Sequence, residues 1–136
     1  MKYKFLLLAM LLSAFVLGSV AQAQTQTQTA LPNGLKIMKM NDSSLITDTK
    51  GMTLYVYDAD TGDGKSTCNG TCAQNWPPLT ASADAKPVGP YTIVTRDDGT
   101  KQWAYKGKPL YFWKNDKQPM DMTGDGVGGK WHVAKP

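Results

Sequence analysis

Gly51-Met-Thr-Leu-Tyr-Val-Tyr-Asp-Ala-Asp60 recurs as Gly107-Lys-Pro-Leu-Tyr-Phe-Trp-Lys-Asn-Asp116, 56 positions further along the chain. Both copies read Gly-x-x-Leu-Tyr-x-aromatic-x-x-Asp, a string too specific to repeat in frame by chance. The frame extends upstream. Leu35, Ile37 and Met38 fall opposite Tyr91, Ile93 and Val94, and the turn-like Asn41-Asp42-Ser43-Ser44 falls opposite Asp97-Asp98-Gly99-Thr100. A duplicated supersecondary unit follows, with repeats over about 35–80 and 91–136.

Composition selects the element type. All eleven acidic residues are Asp, and they are accompanied by 13 Gly and 8 Pro, which favours turns over helices. Short β-branched and aromatic runs predict strands over 35–40, 45–48, 52–58, 91–96, 101–106, 109–114 and 130–134. The expected fold is all-β: two pseudo-twofold-related three-stranded antiparallel meanders plus a C-terminal strand, packed as a small sandwich or barrel. Each meander is followed by a long loop ending on Trp76 or Trp131. Strand parity puts Tyr55 and Tyr57 on one face and Leu54 and Val56 on the other. Tyr111 and Trp113 are likewise set against Leu110 and Phe112. Both faces are apolar, as in strands covered on two sides.

The N-terminus sets the compartment. Lys2 and Lys4 precede an apolar run from Phe5 to Val20, followed by Ala21-Gln22-Ala23. That is the pattern of a secretory signal peptide over residues 1–23, cleaved after Ala23. Residues 24–30, rich in alternating Gln and Thr, read as a flexible leader, and 31–136 as a single β domain. The cleavage point carries no cysteine to acylate, and no second anchor follows, so the expected location is periplasmic or secreted and not membrane-spanning. Loss of Lys2 and Lys4 lowers the formal net charge of +4 by two, and the remaining lysines form no cluster around the single Arg96. That argues against nucleic acid as a partner. A mild basicity suits an anionic envelope surface.

Tyr55, Tyr57 and Asp60, and Tyr111, Trp113 and Asp116, fit Tyr-x-(Phe/Trp/Tyr)-x-x-Asp. In this string the chain resembles a bacterial family of predicted lipoproteins, also described as a secreted repeat of unknown function that usually occurs in pairs. The resemblance covers about Leu45 to Val133, and the stretch Cys68-x-x-x-Cys72-Ala73-x-x-Trp76-Pro77-Pro78 shares it. It implies secretion and pairing of repeats, and brings no activity with it. Read on their own, the aromatics form either a packed core or a stacking platform for sugars or a flat cofactor. Asp60 and Asp116 are expected to cap their own loops as Asx-turns. Calcium is the sharper reading of Asp58, Asp60 and Asp63, but counting from Asp58 puts Gly62 fifth and Asn69 twelfth, which breaks the helix–loop–helix calcium template.

Cys68 and Cys72, the only cysteines, read as a disulfide in an exported chain. A redox pair usually has two intervening residues, and covalent haem attachment wants a histidine where Ala73 stands. Two Met-x-Met pairs, Met38/Met40 and Met120/Met122, with His132, the only histidine, supply ligands suited to Cu(I). Methionines filling irregular core gaps are the plainer reading. With one His, no Glu and no nucleophile motif, no catalytic residue is assigned. The function expected is that of a secreted cell-envelope binding or structural module, not an enzyme and needing no cofactor. The alternative is a periplasmic copper-binding or redox accessory protein, and a third class is a carbohydrate-active enzyme.

Overall fold

The computed structural model of the protein describes residues 30–136 and, ahead of them, Gly18. The expected signal peptide and most of the leader lie outside the described residues. The first repeat opens with the hairpin β1 (Leu35–Met40) and β2 (Ser43–Asp48). Met40 pairs with Ser43, which leaves Asn41 and Asp42 as a two-residue turn. Asn41 takes φ 53°, the left-handed conformation that such a turn demands and that Asn tolerates. β3 (Tyr55–Tyr57) follows, then a long loop carrying the five-residue helix α1 (Thr71–Asn75), then β4 (Thr80–Ala81). The second repeat runs β5 (Tyr91–Thr95), β6 (Lys101–Tyr105), β7 (Lys108–Pro109), a 3-10 turn over Val127–Gly129, and β8 (Trp131–Val133).

The described residues are all-β apart from α1 and the 3-10 turn, and every strand pair among them is antiparallel. β1 pairs β2, β3 pairs β8, and β6 is flanked by β5 on one edge and by β4 and β7 on the other. The pseudo-symmetry is legible in the registers. Met38 faces Leu45 as Val94 faces Gln102, so the frame of 56 becomes 57 along the second strands. The extra residue sits in the second hairpin turn, where Gly99 (φ 84°) takes the left-handed position and donates to Arg96 O.

The third strand of each expected meander requires a correction. Only a single bridge, Thr47 to Thr53, joins β2 to the residues that follow it, and β7 is two residues long. The segment that closes each repeat crosses over and wedges between the second and third strands of the other repeat. Ile46 N donates to Ala134 O while Ala134 N donates to Leu54 O, and Trp103 N donates to Leu79 O while Leu79 N donates to Leu110 O. Leu54 and Leu110 stay tethered by Leu54 N to Ile46 O and Leu110 N to Trp103 O. Beyond that point the chain is splayed off its own hairpin and must find other partners.

It finds them at the centre. Tyr55 N donates to Tyr111 O at 2.8 Å, and Tyr111 N returns the bond to Tyr55 O at 3.0 Å. This reciprocal pair marks the pseudo-twofold axis. On its outer edge Tyr55 pairs with Val133, and Tyr111 with Pro78. The central strands divide two cores as their parity requires. Leu54 and Leu110 are fully buried with Ile46, Tyr91 and Trp103 on one side. Tyr55 and Tyr111 are fully buried with Leu45, Trp76, Trp131 and Val133 on the other. Each such side chain stabilises the fold by about 1.5–3 kcal/mol through burial.

Candidate functional site

The central backbone pair points its two phenols into opposite halves of the molecule. Tyr55 Oη donates to Asp116 Oδ2 at 2.6 Å, and Tyr111 Oη donates to Asp60 Oδ2 at 2.7 Å. The tyrosine of each repeat is thus bonded to the aspartate of the other. The second carboxylate oxygen serves its own loop. Asp60 Oδ1 accepts from Thr67 N and Thr67 Oγ1, both at 2.8 Å, and Asp116 Oδ1 accepts from Thr123 N at 3.1 Å and Thr123 Oγ1 at 2.6 Å. The expected loop-capping role therefore exists, and it is half of what each carboxylate does. Asp60 is wholly buried and Asp116 nearly so, and three donors apiece meet the demand that a buried carboxylate be hydrogen-bonded. Burial pushes both phenols far above the ordinary tyrosine value of 10.0. The bond to the facing carboxylate adds to the effect, because a phenolate could not donate there.

The two locks differ in what lies behind the phenol. Tyr111 Oη contacts Ser66 Oγ at 2.6 Å, and Arg96 Nη1 donates to that same Ser66 Oγ at 2.9 Å. Since the Tyr111 proton goes to Asp60, Ser66 must donate to Tyr111. The chain Arg96–Ser66–Tyr111–Asp60 therefore links a buried cation to a buried anion. Behind Tyr55, among the described residues, there is only a backbone donor, Gly124 N at 3.3 Å. None of Ser66, Thr67, Thr123 or Arg96 was singled out by sequence reasoning. The threonines could have been, since both follow the motif aspartate by seven residues.

Residues 36–80 and 92–135 each match the family described as a secreted repeat of unknown function. The chain belongs to that family. No curated protein and no solved structure matches it. The motif repeated in this chain now has a physical reading: its tyrosine and its aspartate are the two halves of a bond exchanged between the copies.

The motif's middle aromatic is exchanged as well. Tyr57 stacks on Trp131 at 4.2 Å, Trp131 on Trp76 at 3.8 Å and 3°, and Trp76 on Trp113 at 4.1 Å. The result is one four-ring column across the pseudo-twofold axis. Tyr55 and Tyr111 meet its inner tryptophans edge-on at 5.3 and 5.2 Å. The inner rings, Trp76 and Trp131, are buried, while Tyr57 and Trp113 are half-buried at the ends. The aromatic row is thus core over most of its length, with two ring faces left at the margins.

In this secreted-repeat chain Cys68 and Cys72 are bonded, and the bridge holds the loop before α1, which delivers Trp76 to the column. The corresponding place in the second repeat is Gly124. A Cβ there would lie 2.8 Å from Trp76 and 2.9 Å from Trp113, so the backbone itself packs on the column. Of the methionine and histidine ligands weighed from sequence, the fold brings two to one place. Met40 and Met122 line a groove of about 400 Å³ with Leu45, Asp125 and Val133. Met38 is half-buried on β1, and Met120 is half-buried against the aromatic core with its N–H donated to Gly51 O. His132 lies on the exposed face of β8, opposite the buried Trp131 and Val133, with Nε2 2.8 Å from Asp58 Oδ2.

Among the described residues no helix is long and apolar enough to cross a membrane.

Proposed function

We propose that this secreted protein is a non-catalytic module of the cell envelope, exported to the periplasm or beyond, that acts by binding and by holding its shape. The observation that carries the reading is the fate of the motif's polar groups. Both phenols and both carboxylates are turned inward and bonded to each other or to their own loops. A hydrolase keeps its carboxylates at a cleft with room for substrate, whereas these are closed off from solvent. What remains available to a partner is the surface built on that frame: loops held by the disulfide and by the two aspartates, and shallow grooves beside them.

The experiment is co-sedimentation of the mature protein with purified peptidoglycan and, separately, with anionic vesicles, together with an assay for release of soluble glycan. Retention by one of these envelope fractions with no release supports the module. Release of glycan that is lost in Asp60→Asn or Asp116→Asn, with the fold intact, would turn the assignment to an enzyme.

A further inference from the structure

We propose that the groove beside the β1–β2 turn binds a soft monovalent cation, Cu(I) or Ag(I), through Met40, Met122 and Asp125. The pseudo-symmetry carries the argument. The duplicated frame sets Met40 opposite Arg96, Met122 opposite Ser66, Asp125 opposite Asn69 and Leu45 opposite Gln102. In one half that space is filled by a cation belonging to the chain. Arg96 Nη1 donates to Ser66 Oγ at 2.9 Å and Gln102 Oε1 at 2.7 Å, and its Nη2 donates to Cys68 O at 2.6 Å and Asn69 Oδ1 at 3.3 Å. Through Ser66 and Tyr111 this charge faces the buried Asp60.

The other half has the same inward-turned carboxylate, Asp116, bonded to Tyr55 in the same way. The residue in the arginine's place is a methionine, and the space is an open groove of about 400 Å³. A cation entering that groove would take the place in the duplicated frame that the Arg96 guanidinium takes in the other half.

The donors name the cation. Two neutral thioethers and one carboxylate carry a single negative charge, and thioether sulfur prefers Cu(I) to hard divalent ions, which take oxygen ligands. Methionine has three rotatable bonds, so Met40 and Met122 can turn sulfur toward a common point. Asp125 is already oriented, because its Oδ1 accepts Val133 N at 3.1 Å, and its Oδ2 accepts no hydrogen bond among the described residues. Lys135 also lines the groove but is exposed, and its long side chain can carry the ammonium out to solvent. Met38, Met120 and His132 stand outside the site. The proposal is independent of envelope binding.

The test is anaerobic titration of the exported protein with Cu(I) against a chromophoric Cu(I) chelator. One equivalent should be retained. Met40→Leu with Met122→Leu should abolish retention while leaving the melting temperature nearly unchanged, since Leu conserves volume. Asp125→Asn should weaken it by roughly tenfold or more. Met38→Leu, Met120→Leu and His132→Gln should bind as wild type. Ag(I) added to wild-type protein should shift the ε-methyl resonances of Met40 and Met122, which keeps the test independent of how the variants fold. No retained equivalent, retention undiminished in the double variant, or loss on changing Met38, Met120 or His132 would each overturn the site.

Discussion

Tyr55 and Tyr111 hold protons that the fold cannot release cheaply. Each phenol is buried and donates to a carboxylate, so ionisation would set two negative charges 2.6–2.7 Å apart. Their values in the folded state lie above the ordinary 10.0. A group raised in this way contributes stability that is complete below its unfolded value and lost as pH climbs toward the folded one. Denaturant midpoints should therefore be flat up to about pH 10 and fall above it. The double variant Tyr55→Phe with Tyr111→Phe should be less stable at pH 7 and show a shallower alkaline decline. A decline of unchanged steepness would mean that other groups set it. The aspartates should be costlier to lose than simple loop caps. Asp60→Ala removes the acceptor of three donors, one of them the buried Tyr111 phenol, and thermal melts should register a loss of about 2–3 kcal/mol, above the roughly 1 kcal/mol of a single local bond. Which tyrosine each aspartate takes was not legible in the sequence. With two identical motifs, Tyr55 to Asp60 and Tyr55 to Asp116 fit the string equally well, and only the crossing of the central strands decides.

At the level of elements, the strands were legible where short apolar and β-branched runs are bounded by turn residues, as along Leu35–Met40 and Tyr91–Thr95. The hidden features are those set by distant partners. Nothing local in Leu54 or Leu110 says that Ala134 or Leu79 will insert beside it, and α1 is too short to show a helical period. The aromatic column makes two forecasts here. Gly124→Ala must displace Trp76 or Trp113, whose ring atoms lie within 3.0 Å of the new carbon. It should cost about 1–3 kcal/mol and alter the near-ultraviolet circular dichroism. Replacing Cys68 and Cys72 by Ser should cost about 2 kcal/mol by the loop-closure argument and keep the fold, because Trp76 is still clamped between Trp131 and Trp113. An unfolded double-serine protein would show that the bridge, and not the column, seats Trp76.

Across the described residues, the two repeats complete each other. The central backbone pair, both phenol–carboxylate bonds and all three stacking contacts of the column join the first repeat to the second. Pseudo-symmetry in the sequence therefore foretold the architecture well, and the departures from it locate chemistry: Arg96 against Met40, Ser66 against Met122, Cys68 against Gly124. The claim on which all of this rests is the exchange of Tyr and Asp between repeats. Double-mutant cycles measure it directly, with equilibrium unfolding of Tyr55→Phe, Asp116→Asn, Asp60→Asn and the paired combinations. Tyr55 with Asp116 should show a coupling of about 1.5–3 kcal/mol, the range of a buried bond to a charged group. Tyr55 with Asp60, in the same repeat, should be additive to within about 0.5 kcal/mol. Strong coupling within the repeat and none across it would contradict the exchanged lock.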